Sequence, residues 1–300
     1  MKSILIFGCN GFIGSSLTQK FLELGHDVYG CDIQSPEIKT LKRFFNHTLL
    51  ENSPDEIFSH KYDICINCAG SASVPYSFEN PFLDYELNTR IVFRILNELW
   101  KNHSGTRFIN LSSAAVYGNP SSLPISETAE AHPISPYGNH KLMSEMIVNQ
   151  FRNYFGMEAT SLRIFSAYGP GLKKQIFWDM YRKSRLSNCI EMFGSGKETR
   201  DFIYIDDLFE AIRLIAFTNE KILSYYNIAN GEEISIEYVS KLFCENISNE
   251  LSCKFSGSGR DGDPSNWRAD ISNIQKLGYA PTHSILKGIE KTTQWLKEQK

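Results

Sequence analysis

Tyr137 and Lys141 stand four residues apart in Tyr137-Gly138-Asn139-His140-Lys141, which puts a phenol and an ammonium on one face if the segment is helical. A phenol ionises near pH ~10 and is a poor base at neutral pH, but a nearby positive charge stabilises the phenolate. The pair could therefore move a proton on or off an alcohol. Read alone, the same spacing fits an ordinary pair on a helix surface. Upstream, residues 108–118 (FINLSSAAVYG) run from an apolar strand into hydroxyl groups. Ser113 is the candidate to hydrogen-bond the reacting oxygen and share its proton with Tyr137, with Ser112 the less favoured alternative. A serine here could also do no more than cap a local turn.

A second chemistry opens the chain. Gly8-Cys9-Asn10-Gly11-Phe12-Ile13-Gly14 follows a short apolar run and leads into a helical pattern. Three glycines at this spacing permit a tight turn, close approach of backbone to a pyrophosphate, and close packing of helix on strand, with the helix N-terminus attracting the negative charge. Asp32 ends the next strand about 20 residues on, where a carboxylate accepts hydrogen bonds from adenosine ribose hydroxyls. Ile33 and Gln34 follow it; with no arginine there, the bare carboxylate repels a 2′-phosphate and favours NAD over NADP. With the nicotinamide ring nearby, Tyr137 would take a sugar hydroxyl proton as hydride leaves the same carbon, and Lys141 would also hold the nicotinamide ribose.

These groups need a scaffold. Short apolar runs at 4–7, 28–31, 64–68 and 108–111 alternate with amphipathic stretches at 12–24 and 91–100, a βαβ rhythm that calls for a doubly wound parallel α/β sheet covered on both faces. A further strand is expected at about 159–165, after a long helix that begins near Tyr137. A dinucleotide-binding domain over 1–169 and a smaller lobe over 170–300 are expected, interleaved because 202–230 rejoins the sheet. The 300 residues suffice for this, and 31 basic against 34 acidic residues leave a charge of −3, with no footprint for nucleic acid or an anionic membrane. No stretch approaches the ~20 apolar residues of a membrane span. The expectation is a cytoplasmic enzyme with reduced cysteines.

The glycine turn, Ser113, and Tyr137 with Lys141 resemble the extended short-chain dehydrogenase/reductase family of nucleotide-sugar epimerases, dehydratases and reductases. The resemblance extends to residues 71–88 (SASVPYSFENPFLDYELN), 163–171 (RIFSAYGPG), 194–208 (GSGKETRDFIYIDDL) and 263–281. It implies a Rossmann fold, NAD as cofactor, and a UDP-hexose C4 epimerisation by oxidation and re-reduction. The alternative it leaves is a reductase of a nucleotide-linked 4-keto-6-deoxysugar, to which a chain of this length lends weight. It implies cofactor contacts from Gly8, Gly11, Phe12, Ile13, Gly14, Asp32, Ala69 and Lys141. Ser113 would touch the sugar, and Arg200 and Arg260 would lie near the nucleotide diphosphate, for which guanidinium groups are apt partners. A homodimer through helices over 84–100 and 137–155 is also implied.

Departures from the family pattern are informative. The acid pair that dehydratases place after the catalytic hydroxyl is Ala114 and Ala115 here, which argues against dehydration. Ser166 replaces a usual asparagine, and Trp267 stands about where bulk limits the space near the sugar C2 substituent. Cys65 and Cys68 have a CxxC spacing, but on a strand they face opposite sides, and core packing is the better reading. No histidine pair has metal-ligand spacing, so no metal is expected. His140 reads as a helix-surface residue, and Phe177, Trp178 and Tyr181 as core at helical spacing, one of which could stack on a base.

Overall fold

The structure is a computed structural model that describes residues 1–35, 38, 40–50, 55–259 and 262–299. By its internal contacts the chain divides into two units. The first comprises Met1–Gly118, Glu130–Ile164 and Ile212–Tyr226, and the second Asn119–Ala129, Phe165–Ala211 and Asn227–Lys300. Beside the expected 1–169 and 170–300, this division gives 119–129 and 165–169 to the second unit and returns 212–226 to the first.

Strands β1 (Ser3–Phe7), β2 (Asp27–Asp32), β3 (Arg43–Asn46), β4 (Ile64–Asn67), β5 (Arg107–Ser113) and β6 (Ala159–Ile164) pair in the order β6-β5-β4-β1-β2-β3, all parallel. Tyr225–Ile228 adds a strand outside β6. The chain winds from β1 outward through β2 and β3, then crosses back to place β4 on the other side of β1. The loops after β1 and β4 therefore leave neighbouring strands at their carboxyl ends, where open α/β sheets bind ligands. The register aligns Cys31, Phe7, Asn67 and Asn110 in one row across those ends.

Ile4, Leu5 and Ile6 are fully buried, as a strand covered on both faces requires. Helix Phe12–Glu23 buries Gly14, Leu17, Thr18 and Phe21 along one stripe, and helix Ile91–His103 buries Ile91, Val92, Ile95, Leu96 and Leu99. Each large aliphatic side chain withdrawn from water in this way contributes about 2 kcal/mol. The helix Pro136–Phe155 starts with proline in its first turn and with the Ser135 hydroxyl accepting from Gly138 N at 3.1 Å. It stops at Gly156, whose φ of 66° suits glycine. These signals fix where the helix carrying Tyr137 and Lys141 begins and ends.

The second unit holds three strand pairs, Ser166–Tyr168 with Phe202–Tyr204, Thr199–Arg200 with Ile234–Ser235, and Cys189–Met192 with Ser252–Phe255. The expectation that the chain rejoins the main sheet from residue 202 is thus corrected. Phe202–Tyr204 pairs with Ser166–Tyr168, and only Tyr225–Ile228 reaches the main sheet. Apolar runs of similar composition do not reveal which edge they pair with. Among the described residues, no helix is long and apolar enough to cross a membrane.

Candidate active site

The turn after β1 is closed to any side chain. Gly8 has φ of 71°, and a Cβ built on it would stand 2.7 Å from the backbone nitrogen of Ala69, which begins the departure from β4. A Cβ on Gly14 would fall 2.0 Å from the carbonyl oxygen of Gly8. The two glycines therefore bring strand, turn and helix into direct backbone contact. Gly11 precedes helix Phe12–Glu23 without a side-chain cap, leaving the N–H groups of its first turn, including Phe12 and Ile13, without that partner. Bare N–H groups at a helix N-terminus attract an anion, and the close-fitting turn matches the pyrophosphate of a dinucleotide.

Asp32 ends β2 as the spacing requires and has a further role. Its Oδ2 accepts from Asn10 N at 3.0 Å and its Oδ1 from Gln34 N at 3.3 Å. The same carboxylate placed to meet ribose hydroxyls thus also ties down the glycine turn.

Ser113, Tyr137 and Lys141 converge at the end of β5. Tyr137 and Lys141 are both buried, which removes the reading of an exposed helix pair. Lys141 Nζ donates to the Leu111 carbonyl at 2.9 Å and lies 5.8 Å from the centre of the Tyr137 ring. Ser113 does both things its position allowed. Its hydroxyl accepts from Ala115 N at 3.1 Å, capping a turn, and it hydrogen-bonds the Tyr137 phenol.

Burial governs both ionisations. It pushes Tyr137 up to about 12, against the lowering effect of the Ser113 hydrogen bond, and the Asp84 carboxylate adds to the rise. Burial pulls Lys141 down to about 8, opposed by the negative charge of Asp84 and then by Cys68 and Glu145. The expectation that lysine proximity alone makes Tyr137 a base is therefore corrected. In the protein by itself burial outweighs it, and Tyr137 is a phenol at neutral pH.

Buried polar chains fix this centre, and spacing along the sequence gave no sign of them. Asn67 Oδ1 accepts from Ala69 N at 3.3 Å, Asn67 Nδ2 donates to Asn110 Oδ1 at 3.1 Å, Asn110 Nδ2 to Ser144 Oγ at 3.2 Å, and Ser144 Oγ to the Lys141 carbonyl at 2.7 Å. Beside it, Glu145 accepts from Ser112 Oγ at 2.6 Å and takes Arg163 Nη2 at 2.7 Å and Nε at 3.0 Å. Ser112 is thus spent on Glu145, which leaves Ser113 as the hydroxyl at the reaction centre. His140 is a further correction. It is largely buried and hydrogen-bonded to Asp84, not a surface residue, because Asp84 arrives from a segment 56 residues away.

The other assigned residues lie elsewhere. Arg200 belongs to the second unit, where Nη1 donates to the Thr199 carbonyl at 2.8 Å and the guanidinium sits 5.4 Å from the Trp267 ring centre. Trp267 is itself buried against the edge of Phe165, with ring centres 5.8 Å apart. Arg260 lies outside the described residues. Phe177 and Tyr181 are buried, and Tyr181 donates to the Gln299 carbonyl at 2.8 Å. Cys65 is in the core of β4, and among the described residues no cluster of His, Cys, Asp and Glu could hold a metal ion.

Residues 4–229 match the model of the NAD-dependent epimerase/dehydratase family. A putative UDP-glucose 4-epimerase of Methanocaldococcus jannaschii is 30% identical over 98% of both chains. An uncharacterised UDP-glucose epimerase of Bacillus subtilis is 30% identical over 98% of this chain and 97% of its own. The UDP-glucuronic acid 4-epimerase of Bacillus cereus, solved with UDP-glucuronic acid and NAD, superposes with a TM-score of 0.90 at 27% identity, covering 99% of each chain.

Proposed function

Because the chain belongs to the NAD-dependent epimerase/dehydratase family, we propose that it interconverts the C4 epimers of a UDP-hexose. The observation that carries this reading is the convergence of Ser113, Tyr137 and Lys141, all on the first unit, at the carboxyl edge of a sheet whose glycine turn fits a dinucleotide. Bound NAD supplies a hydride acceptor and donor. The chain supplies the rest. Tyr137 accepts the C4 hydroxyl proton as C4 becomes a ketone and returns it to the product alcohol, while Ser113 hydrogen-bonds the same oxygen. Lys141 contributes a positive charge that favours the phenolate and holds the nicotinamide ribose. The first-turn N–H groups of Phe12 and Ile13 meet the pyrophosphate, Ala69 closes the floor against Gly8, and Asp32 receives the adenosine ribose. Arg200 and Arg260 are assigned to the nucleotide diphosphate of the substrate.

Chain length no longer favours a ketoreductase, since the putative 4-epimerase of M. jannaschii and this chain cover 98% of each other. The test is NMR product analysis after incubation with UDP-glucose, UDP-galactose or UDP-glucuronic acid and catalytic NAD. Accumulation of the C4 epimer, with NADP a poor substitute for NAD, is the expected result. Conversion only of 4-keto-6-deoxy sugar nucleotides with stoichiometric reduced cofactor would replace the epimerase reading by the reductase.

The protein is assigned a homodimeric state. Helices Ile91–His103 and Pro136–Phe155 meet through Phe93 on Phe151 and Trp100 on Phe155, yet leave Phe93, Trp100, Met143, Met146 and Tyr154 exposed. An apolar face of this kind marks an interface, and a second copy of the same helix pair is its occupant. Sedimentation velocity should give a dimer for the wild type and a monomer for Met146→Glu; a monomeric wild type at micromolar concentration would remove the assignment.

A further inference from the structure

We propose that Asp84, clasped by His140, is a positioning residue whose buried negative charge keeps Lys141 in its ammonium form, an inference that rests on the catalytic reading of Tyr137 and Lys141. Asp84 is fully buried. Its Oδ1 accepts from Asn88 Nδ2 at 3.0 Å and its Oδ2 lies 2.7 Å from His140 Nδ1. The His140 ring also meets Tyr85 edge-on, and its carbonyl accepts from Thr89 Oγ1 at 2.9 Å. The segment from Asp84 to Thr89 thus grips the catalytic helix at the residue before Lys141.

That segment is built for the purpose. Glu86–Arg90 forms one turn of π-helix, a geometry that widens a helix and recurs at functional sites. Asn88 Oδ1 is buried with no hydrogen-bond partner. It lies 2.7 Å from the point where a Cβ on Gly70 would stand, and Lys141 Nζ lies 3.6 Å from the same point. The side chain oriented by Asp84 therefore presents an unused acceptor close to the Lys141 ammonium.

The charges facing Lys141 come from three elements. Glu145, on the same helix, is committed to Arg163; Cys68, beyond β4, is a thiol pushed above its usual range by burial; Tyr137 is a phenol. Asp84 is the foremost group opposing the loss of the Lys141 proton. A carboxylate with no exposure is costly to keep, and a neutral pair would staple the same segments as well, so the charge itself has a use next to the reaction centre.

The test is an NMR titration of Lys141 in the full chain with NAD present, using lysine labelled with carbon-13 at Cε and Lys141→Gln to identify its signal. Asp84→Asn keeps the shape and removes the charge, so the midpoint should fall by about one pH unit. His140→Gln leaves the Asp84 charge in place, so its midpoint should stay near that of the wild type. If Asp84→Asn does not fold, the double variant Asp84→Leu with His140→Leu, an apolar replacement of a buried pair that proteins commonly tolerate, should show the same fall. A folded Asp84 variant with an unchanged midpoint overturns the inference, as does a His140→Gln shift equal to that of Asp84→Asn, which would make packing the cause. Full turnover in Tyr137→Phe would instead defeat the catalytic reading, while the titration difference would stand.

Discussion

Tyr137→Phe should lower turnover about 100- to 10,000-fold, the usual contribution of a general acid–base group, with stability and NAD binding close to wild type. The phenyl ring fills the same buried space, and the lost hydroxyl has Ser113 as its partner, which keeps its bond from Ala115 N. The pH dependence follows from the two ionisations. With burial holding Tyr137 up at about 12 in the protein alone, base action at neutral pH needs the positive charges of Lys141 and of the oxidised nicotinamide ring beside it. Activity therefore rises with pH as Tyr137 gives up its proton in the complex. It then falls once Lys141, pulled down to about 8, loses its charge. Turnover of the epimerisation measured across this range checks both limbs; a Tyr137→Phe enzyme within tenfold of wild type would refute the role of the phenol.

The other large effect concerns stability. Arg163→Met should destabilise the protein by about 3–5 kcal/mol, because it leaves the fully buried Glu145 carboxylate without its cation. The guanidinium also lies 4.3 Å from the Tyr225 ring centre and 4.8 Å from that of Tyr117, so contact is lost on both faces. Replacing both partners, Arg163→Met with Glu145→Met, should recover most of the loss, since no buried charge is then unpaired. Urea denaturation of the three variants measures this, and a loss below about 1 kcal/mol in the single variant would show that Glu145 finds another partner.

What the sequence made legible was what depends on near neighbours. The glycine turn, the ends of β1 and β2, and the phenol–ammonium spacing of Tyr137 and Lys141 all lie within single elements or adjacent ones, and the alternation of strand and helix set the doubly wound sheet. What it hid depends on distant partners. His140 looks like a surface residue until Asp84 is placed beside it, and Glu145 like an exposed helix acid until Arg163 reaches it from β6. Arg43–Asn46 became a strand although it lacks a long apolar run, because the exposed edge of β2 offered it a ladder. The ionisation of Tyr137 was misjudged for a related reason, since spacing shows the lysine but not the depth at which both groups lie.

The polar chain from Asn67 through Asn110 to Ser144 also constrains how the protein is made. Its links join residues 43 and 34 positions apart, and the Glu145 carboxylate waits for Arg163, a further 18 residues downstream. A chain emerging from the ribosome has the whole nucleotide-binding turn in hand early, but until β6 has been synthesised and has docked against β5 it carries an acid with no counter-charge in what must become dry interior. The reaction centre is consequently among the last parts of the first unit to set, and a stall before residue 163 leaves a chain with its cofactor turn complete and its chemistry unassembled.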